Sequence, residues 1–175
     1  MSDTLITVIA IALAAVLMFV FPLLTMSDRT DDVSQLAIET ATTDFVDEVR
    51  TTGKITPEKY NKFIENIGST GNTYNVEMEV QHLDENPGKK TTQANYTKIG
   101  ENVYYSEYTT QVLEQLESST TGEISLKEGD RIVVNVKNTN TTQAQTLKGS
   151  LLSFTNAGQY TIAASSTGMI KVNGK

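Results

Sequence analysis

Between Asp3 and Asp28 the chain carries no charge: Thr4 to Ser27 reads TLITVIAIALAAVLMFVFPLLTMS. At about 1.5 Å of rise per helical residue, such a run is long enough to cross a hydrocarbon core of about 30 Å. In lipid every backbone amide must find an internal partner, so the run is predicted to be helical. A cleaved secretion signal fits it poorly. Nothing basic precedes the apolar core, the core exceeds the usual length of about 7–15 residues, and its end carries Thr25 and Ser27 around Met26. A buried core helix fits poorly too, because the rest of the chain is too polar to cover an apolar helix on all sides. Residues 1–27 are therefore predicted to be a retained transmembrane helix, with the lipid bilayer as its first partner.

The charges do not set the direction of insertion. Arg29 is the only basic residue near the end of the run, and it sits among Asp28, Asp31 and Asp32, which count little in the positive-inside rule. The chain lacks cysteine, which suits an external surface without disulfides and equally the cytosol. The sequons at Asn95 and Asn140 matter only in a glycosylating secretory pathway. A net charge of -7 without a basic stripe argues against nucleic acid as a partner.

About 148 residues follow the run, enough for one domain. Residues 28–53 are predicted to be an amphipathic helix. Val33, Ala37, Ala41, Phe45 and Val49 recur every four residues, Leu36 and Val46 stand beside them, and Gly53 gives a stop. With no glycine or proline between Met26 and Thr52, this helix can continue the anchor. Together they would make one helix of about 48 residues and about 70 Å. A break at Ser27–Asp32, where Thr and Asp weaken a helix, is the alternative. Pro22 removes one helical hydrogen bond and predicts a kink. Ala10 and Ala14, with Ala12 and Ala15, give small faces that allow close helix approach in lipid.

Residues 54–175 are predicted to be a small head. Thr56-Pro57-Glu58 opens a helix by capping, with Tyr60, Phe63, Ile64 and Ile67 as its apolar stripe and Gly68 at its end. Tyr74, Val76, Met78 and Val80 alternate with polar residues, as in a half-buried strand. Residues 83–93, with Pro87-Gly88, read as a loop. A helix is expected over Glu107–Glu117, with Tyr108, Val112, Leu113 and Leu116 inward. Ile124–Lys137 reads as strand, turn, strand, and Ala144–Phe154 as a helix. Tyr160–Ala163 and Met169–Val172 read as a closing hairpin around Ser165–Gly168. The fold class is α+β: a long N-terminal helix carrying an antiparallel or mixed sheet.

Chemistry-bearing groups are sparse. His82 stands alone at a strand end and is expected to be exposed. Asp28, Asp31 and Asp32 lack the glycine and terminal Glu of a calcium loop and are expected to form a solvated collar. Glu77 and Glu79 share a strand face that alternation assigns to solvent. The glycines at 122, 129 and 149 are isolated, not a phosphate loop. No catalytic constellation, cofactor or metal is expected, and the chain is not expected to be an enzyme.

The anchor is followed by ETATTDFVDEVRTTGKITPEKYNKFIENIGSTGNTYNVEMEVQH, then LKEGDRIVVNVKNTNTTQAQTLKG, then STGMIKVNG. In these segments, over most of Glu39–His82 and Leu126–Gly174, the chain resembles small pilin-like membrane proteins of Gram-positive Firmicutes. Those proteins are found with Tad-type, type IV pilus-like assembly machinery. The resemblance implies a pseudopilin or minor-pilin role, with the head outside the membrane and Pro22 at the kink of the hydrophobic half. It also implies partners among pilin-like subunits and assembly-platform proteins. The chain departs from processed type IV prepilins: no basic leader or glycine precedes the run, and no carboxylate lies inside it. An unprocessed anchor is therefore expected.

Two function classes follow. One is a structural subunit of a filament or secretion apparatus, in which Ala10, Ala14, Pro22, Val33, Ala37, Ala41, Phe45 and Val49 belong to the packing helix. The other is an anchored extracytoplasmic binding or sensory module that does not polymerise. The apolar stripe running from the membrane to Val49 suits subunit packing, and equally suits covering the chain's own head.

Overall fold

The computed structural model describes residues 2–84, 104–118, 122–151 and 161–174. One helix, α1 (Ser2–Thr52), joins the apolar run to the amphipathic segment without a break. No glycine interrupts it, and Pro22 is its one proline. The weak helix formers around the boundary are accommodated locally. The hydroxyls of Thr25, Thr30 and Ser34 donate to the carbonyls four residues back, at 3.0, 3.0 and 2.9 Å. Each such bond hides a polar group against its own helix.

The head wraps the upper part of α1. Four strands form an antiparallel sheet in the order β3-β2-β5-β6: β2 (Tyr74–Leu83), β3 (Tyr104–Tyr108), β5 (Arg131–Asn138) and β6 (Ala163–Met169). Met78 faces Val134 across β2 and β5, and Val136 faces Ala164 across β5 and β6. Period-2 alternation turns these apolar residues to one face, and α1 lays Ile38, Val46 and Val49 on that face to make the core. A short helix, α2 (Pro57–Gly68), is capped by Thr56, whose hydroxyl accepts the Lys59 amide at 3.3 Å. It packs Phe63 flat on Phe45, ring centroids 4.7 Å apart. Ile64 faces away, and the buried stripe of α2 is Phe63 and Ile67.

Several expected elements form differently. Tyr108 ends a strand and is exposed; the following helix, α3 (Thr109–Ser118), buries Val112 and Leu116. The strand, turn and strand expected over Ile124–Lys137 form, and the two strands join different sheets. β4 (Ile124–Ser125) pairs with β1 (Lys54–Ile55) in a separate two-stranded sheet, while β5 joins the main one. The C-terminal hairpin is instead one continuous strand, β6, whose Ser165–Gly168 segment lies flat on β5 rather than turning. The helix α4 (Gln143–Leu151) forms near the expected place. Most of the loop over 83–93 lies outside the described residues, although Leu83 itself ends β2.

The far end of α1 is tied to the chain's C-terminal tail. Gly53, with φ of 66°, bonds the Val49 carbonyl at 2.8 Å and turns the backbone left-handed, as a helix-ending glycine does. The Lys171 amide then donates to the Arg50 carbonyl at 3.1 Å, and Leu126 to that of Gly53 at 2.8 Å. Carbonyls that a helix end leaves open are thus filled by distant backbone. The approach is close enough that a Cβ on Gly174 would collide with the Gly53 carbonyl.

Candidate membrane and assembly surface

The lower part of α1 stands free of the head. It is apolar enough to cross a membrane, with a mean hydropathy of 2.8 in its most apolar stretch, and none of that stretch is buried. Ala10, Ala14 and Pro22 are all exposed here. The helix is continuous through Pro22, so the amide that proline lacks leaves one carbonyl of the preceding turn unpaired within the helix.

Where the apolar run ends, the head is clasped to the helix. The Thr142 hydroxyl donates to Asp31 Oδ2 at 2.7 Å, with both residues buried. Thr142 also begins α4 with a reciprocal cap: its hydroxyl accepts the Gln145 amide at 3.3 Å, and Gln145 Oε1 accepts the Thr142 amide at 3.0 Å. One turn lower, Lys148 pairs with Asp28 at 2.5 Å. The expected solvated acidic collar is therefore corrected. Asp31 is a buried acceptor and Asp28 an ion-pair partner, which leaves Asp32 exposed. Beside them Asn72 Nδ2 reaches Ser34 Oγ at 3.5 Å, and Asn140 Nδ2 donates to Asn72 Oδ1 at 2.9 Å. The Asn140 side chain of the sequon thus joins two loops of the head.

The four-residue stripe does not form one face. At 100° per residue, each step of four drifts about 40°, so Val33 and Val49 stand about 160° apart on the helix. The structure divides the series accordingly. Phe45 and Val49 are buried, 3 % and 0 % exposed. Ala37 and Ala41 are half-buried, and Ala41 packs against the core. Val33 is 67 % exposed, so it does not pack on the head. The true inner face runs Asp31, Ser34, Ile38, Thr42, Phe45, Val49, a spacing of three and four that keeps one side inward. Ile38 and Thr42 were missed because the four-residue spacing masked them.

On the opposite side, Leu36 is 65 % exposed next to Val33. Both point outward in line with Pro22 and Met18, by the same 100° rotation. By the same rotation exposed Arg29 falls on this face between Pro22 and Leu36, so Val33 and Leu36 form a separate exposed apolar pair, ending about 14 Å past Ser27.

The other candidates are structural. His82 is not exposed: its Nδ1 lies 3.0 Å from Asp130 Oδ2, its Nε2 lies 3.7 Å from Glu107, and its ring stacks on Tyr105. Asp130 also accepts the amides of Leu83 and Lys127, each at 2.9 Å, so the dyad locks a turn against a strand end. Sequence gave no hint of this partner, which lies 48 positions away. Glu77 is exposed as expected. Bonds from Gln81 and Ser106 hold the Glu79 carboxyl below its ordinary pKa. No group of three residues able to hold a metal occurs among the described residues. No protein-family model, curated protein or solved structure matches the chain.

Proposed function

We propose that this chain is a single-pass, membrane-anchored, pilin-like structural subunit of a type IV pilus or Tad-like apparatus. It packs against other copies or related subunits through the outer face of α1, with its head extracytoplasmic. The observation that carries this reading is the exposed Val33–Leu36 pair. Two large apolar side chains project from the helix beyond the apolar run, each about two-thirds exposed, with the head bordering Val33 at the hollow lined by Ser69 and Thr70. Water tolerates two exposed apolar side chains, and a second α1 would cover them while extending the helix contact available in lipid. Small faces at Ala10 and Ala14 permit close approach lower down.

The test is electron microscopy and native mass measurement on the full-length protein extracted from membranes. The reading expects filaments or discrete oligomers, lost in the double variant Val33→Asp/Leu36→Asp while the head stays folded. A strictly monomeric wild-type protein would overturn it.

A further inference from the structure

The head divides sharply by charge along α1. At its tip, level with Arg50 and Gly53, stand Lys54, Glu123, Lys127, Glu128 and Lys171, most of them exposed. At its base, level with Asp28–Ser34, the head contributes residues 69–73 and 138–150, which read STGNT and NTNTTQAQTLKGS. Their one charge is Lys148, and Asp28 neutralises it. The placement of these segments is fixed by contacts: Ser69 and Thr70 line a hollow with Arg29 and Val33, Asn72 meets Ser34, and Thr142 meets Asp31. α4 begins at the level of Asp31 and reaches that of Asp28 by Lys148. Its C-terminal end is thus the lowest described part of the head.

We infer that this uncharged base of hydroxyls and amides is a lipid-facing surface that seats the head on the headgroup layer. The inference depends on α1 crossing a bilayer, because that places the membrane surface at Asp28. An acidic chain of net charge -7 should be repelled by an anionic leaflet. The repulsion reaches only about one Debye length, about 8 Å in physiological salt. The tip stands about 37 Å above Asp28, so its charges are screened from the surface. What the membrane meets is the base, where the described residues of the head add only the charge of Lys148, and with Asp28, Arg29, Asp31 and Asp32 of α1 the level carries a formal charge of -1 against -7 for the chain. Asn138, Asn140, Thr142 and Thr146 are engaged within the protein, and exposed Thr141 and Gln143 can donate to phosphate and ester oxygens. Of the exposed charges at this level, Arg29 and Asp32 belong to α1 and oppose each other.

The absence of cysteine makes single-site labelling direct. Three full-length variants, Gly149→Cys, Glu128→Cys and Leu13→Cys, are labelled with a fluorophore and reconstituted in phosphatidylcholine vesicles. The vesicles carry a quencher on either the headgroup or the acyl chain. Among the described residues nothing lies within 4 Å of a Cβ added at Gly149, so the site has room for a cysteine. Headgroup quenching is expected at Gly149 and not at Glu128, with acyl-chain quenching at Leu13. Adding phosphatidylglycerol is expected to leave the Gly149 signal unchanged. If Leu13 is quenched and Gly149 behaves like Glu128, the seated base is overturned while the anchor stands. An unquenched Leu13 removes the anchor and the inference with it. A Gly149 label shielded from water but not reached by headgroup quencher would assign the base to a second copy and overturn the proposal. Loss of Gly149 quenching in anionic vesicles would overturn the charge argument.

Discussion

Below Thr30, α1 leaves nearly every side chain uncovered; above it, the same unbroken helix sinks one face into the head and leaves the other bare. The backbone does not differ between the halves. The lower half is apolar on all sides, so only lipid or other apolar helices can satisfy it. The upper half carries an inner face at a spacing of three and four, which a twisted sheet can cover. Helix formation and helix burial are thus separate properties here. The first follows from the near absence of breakers, the second from how apolar residues are phased around the axis.

Phe45 is the sharpest place to break that contrast. It is buried and stacked on Phe63, so Phe45→Ala is expected to destabilise the head by about 3–5 kcal/mol. Phe45→Asp, which forces a carboxylate into the same site, is expected to prevent the head from folding. Urea unfolding of the detergent-solubilised protein, followed by circular dichroism of the sheet signal, checks both. A Phe45→Ala loss below about 1 kcal/mol would mean that the upper half is not held by its inner face.

The boundary between the halves is expected to matter next. Thr142→Val keeps the side chain's shape but removes the α4 cap and leaves Asp31 buried without its donor. A loss of about 1–3 kcal/mol is expected, with Thr142→Ser close to wild type. Lys148→Ala, which breaks a partly exposed ion pair, is expected to cost less than about 1 kcal/mol, and less again at high salt. Equal losses for Thr142→Val and Lys148→Ala would show that charge, not the buried hydroxyl, fastens the head to the helix.

These residues also show where sequence reading ran out. α1, the capped start of α2 and the alternation of β2 are written in local patterns, because a missing breaker, a Thr-Pro-Glu start and a period of two each act within a few residues. The clasp is not local: Thr142 and Asp31 are 111 positions apart, and a lone Asp reads as a solvated charge until the fold supplies a donor. His82 is the same case with Asp130. β6 contains Ser165, Ser166, Thr167 and Gly168, which favour a turn by composition. Pairing with β5 along the whole segment outweighs that preference. Of the candidate surface, Ala10, Ala14 and Pro22 were readable as exposed once the run was read as a membrane helix. Val33 was not separable from Phe45 by a four-residue count, which hides the drift around the helix.

The smallest expected effect on head stability is the one that separates the two faces of the upper half. Val33 and Leu36 are 67 % and 65 % exposed, so replacing both with Asp should change the unfolding free energy of the head by no more than about 0.5 kcal/mol. If the outer stripe is a packing surface between copies, the same change is expected to abolish oligomers, since each carboxylate would have to be desolvated at a helix contact. The comparison with Phe45→Ala is then reciprocal: one variant loses stability at the inner face, the other loses association at the outer face. Native mass measurement and urea unfolding on the same two preparations decide it. A double variant that unfolds early would show that the outer face also supports the head. One that stays folded and still assembles would leave the stripe without a role in packing.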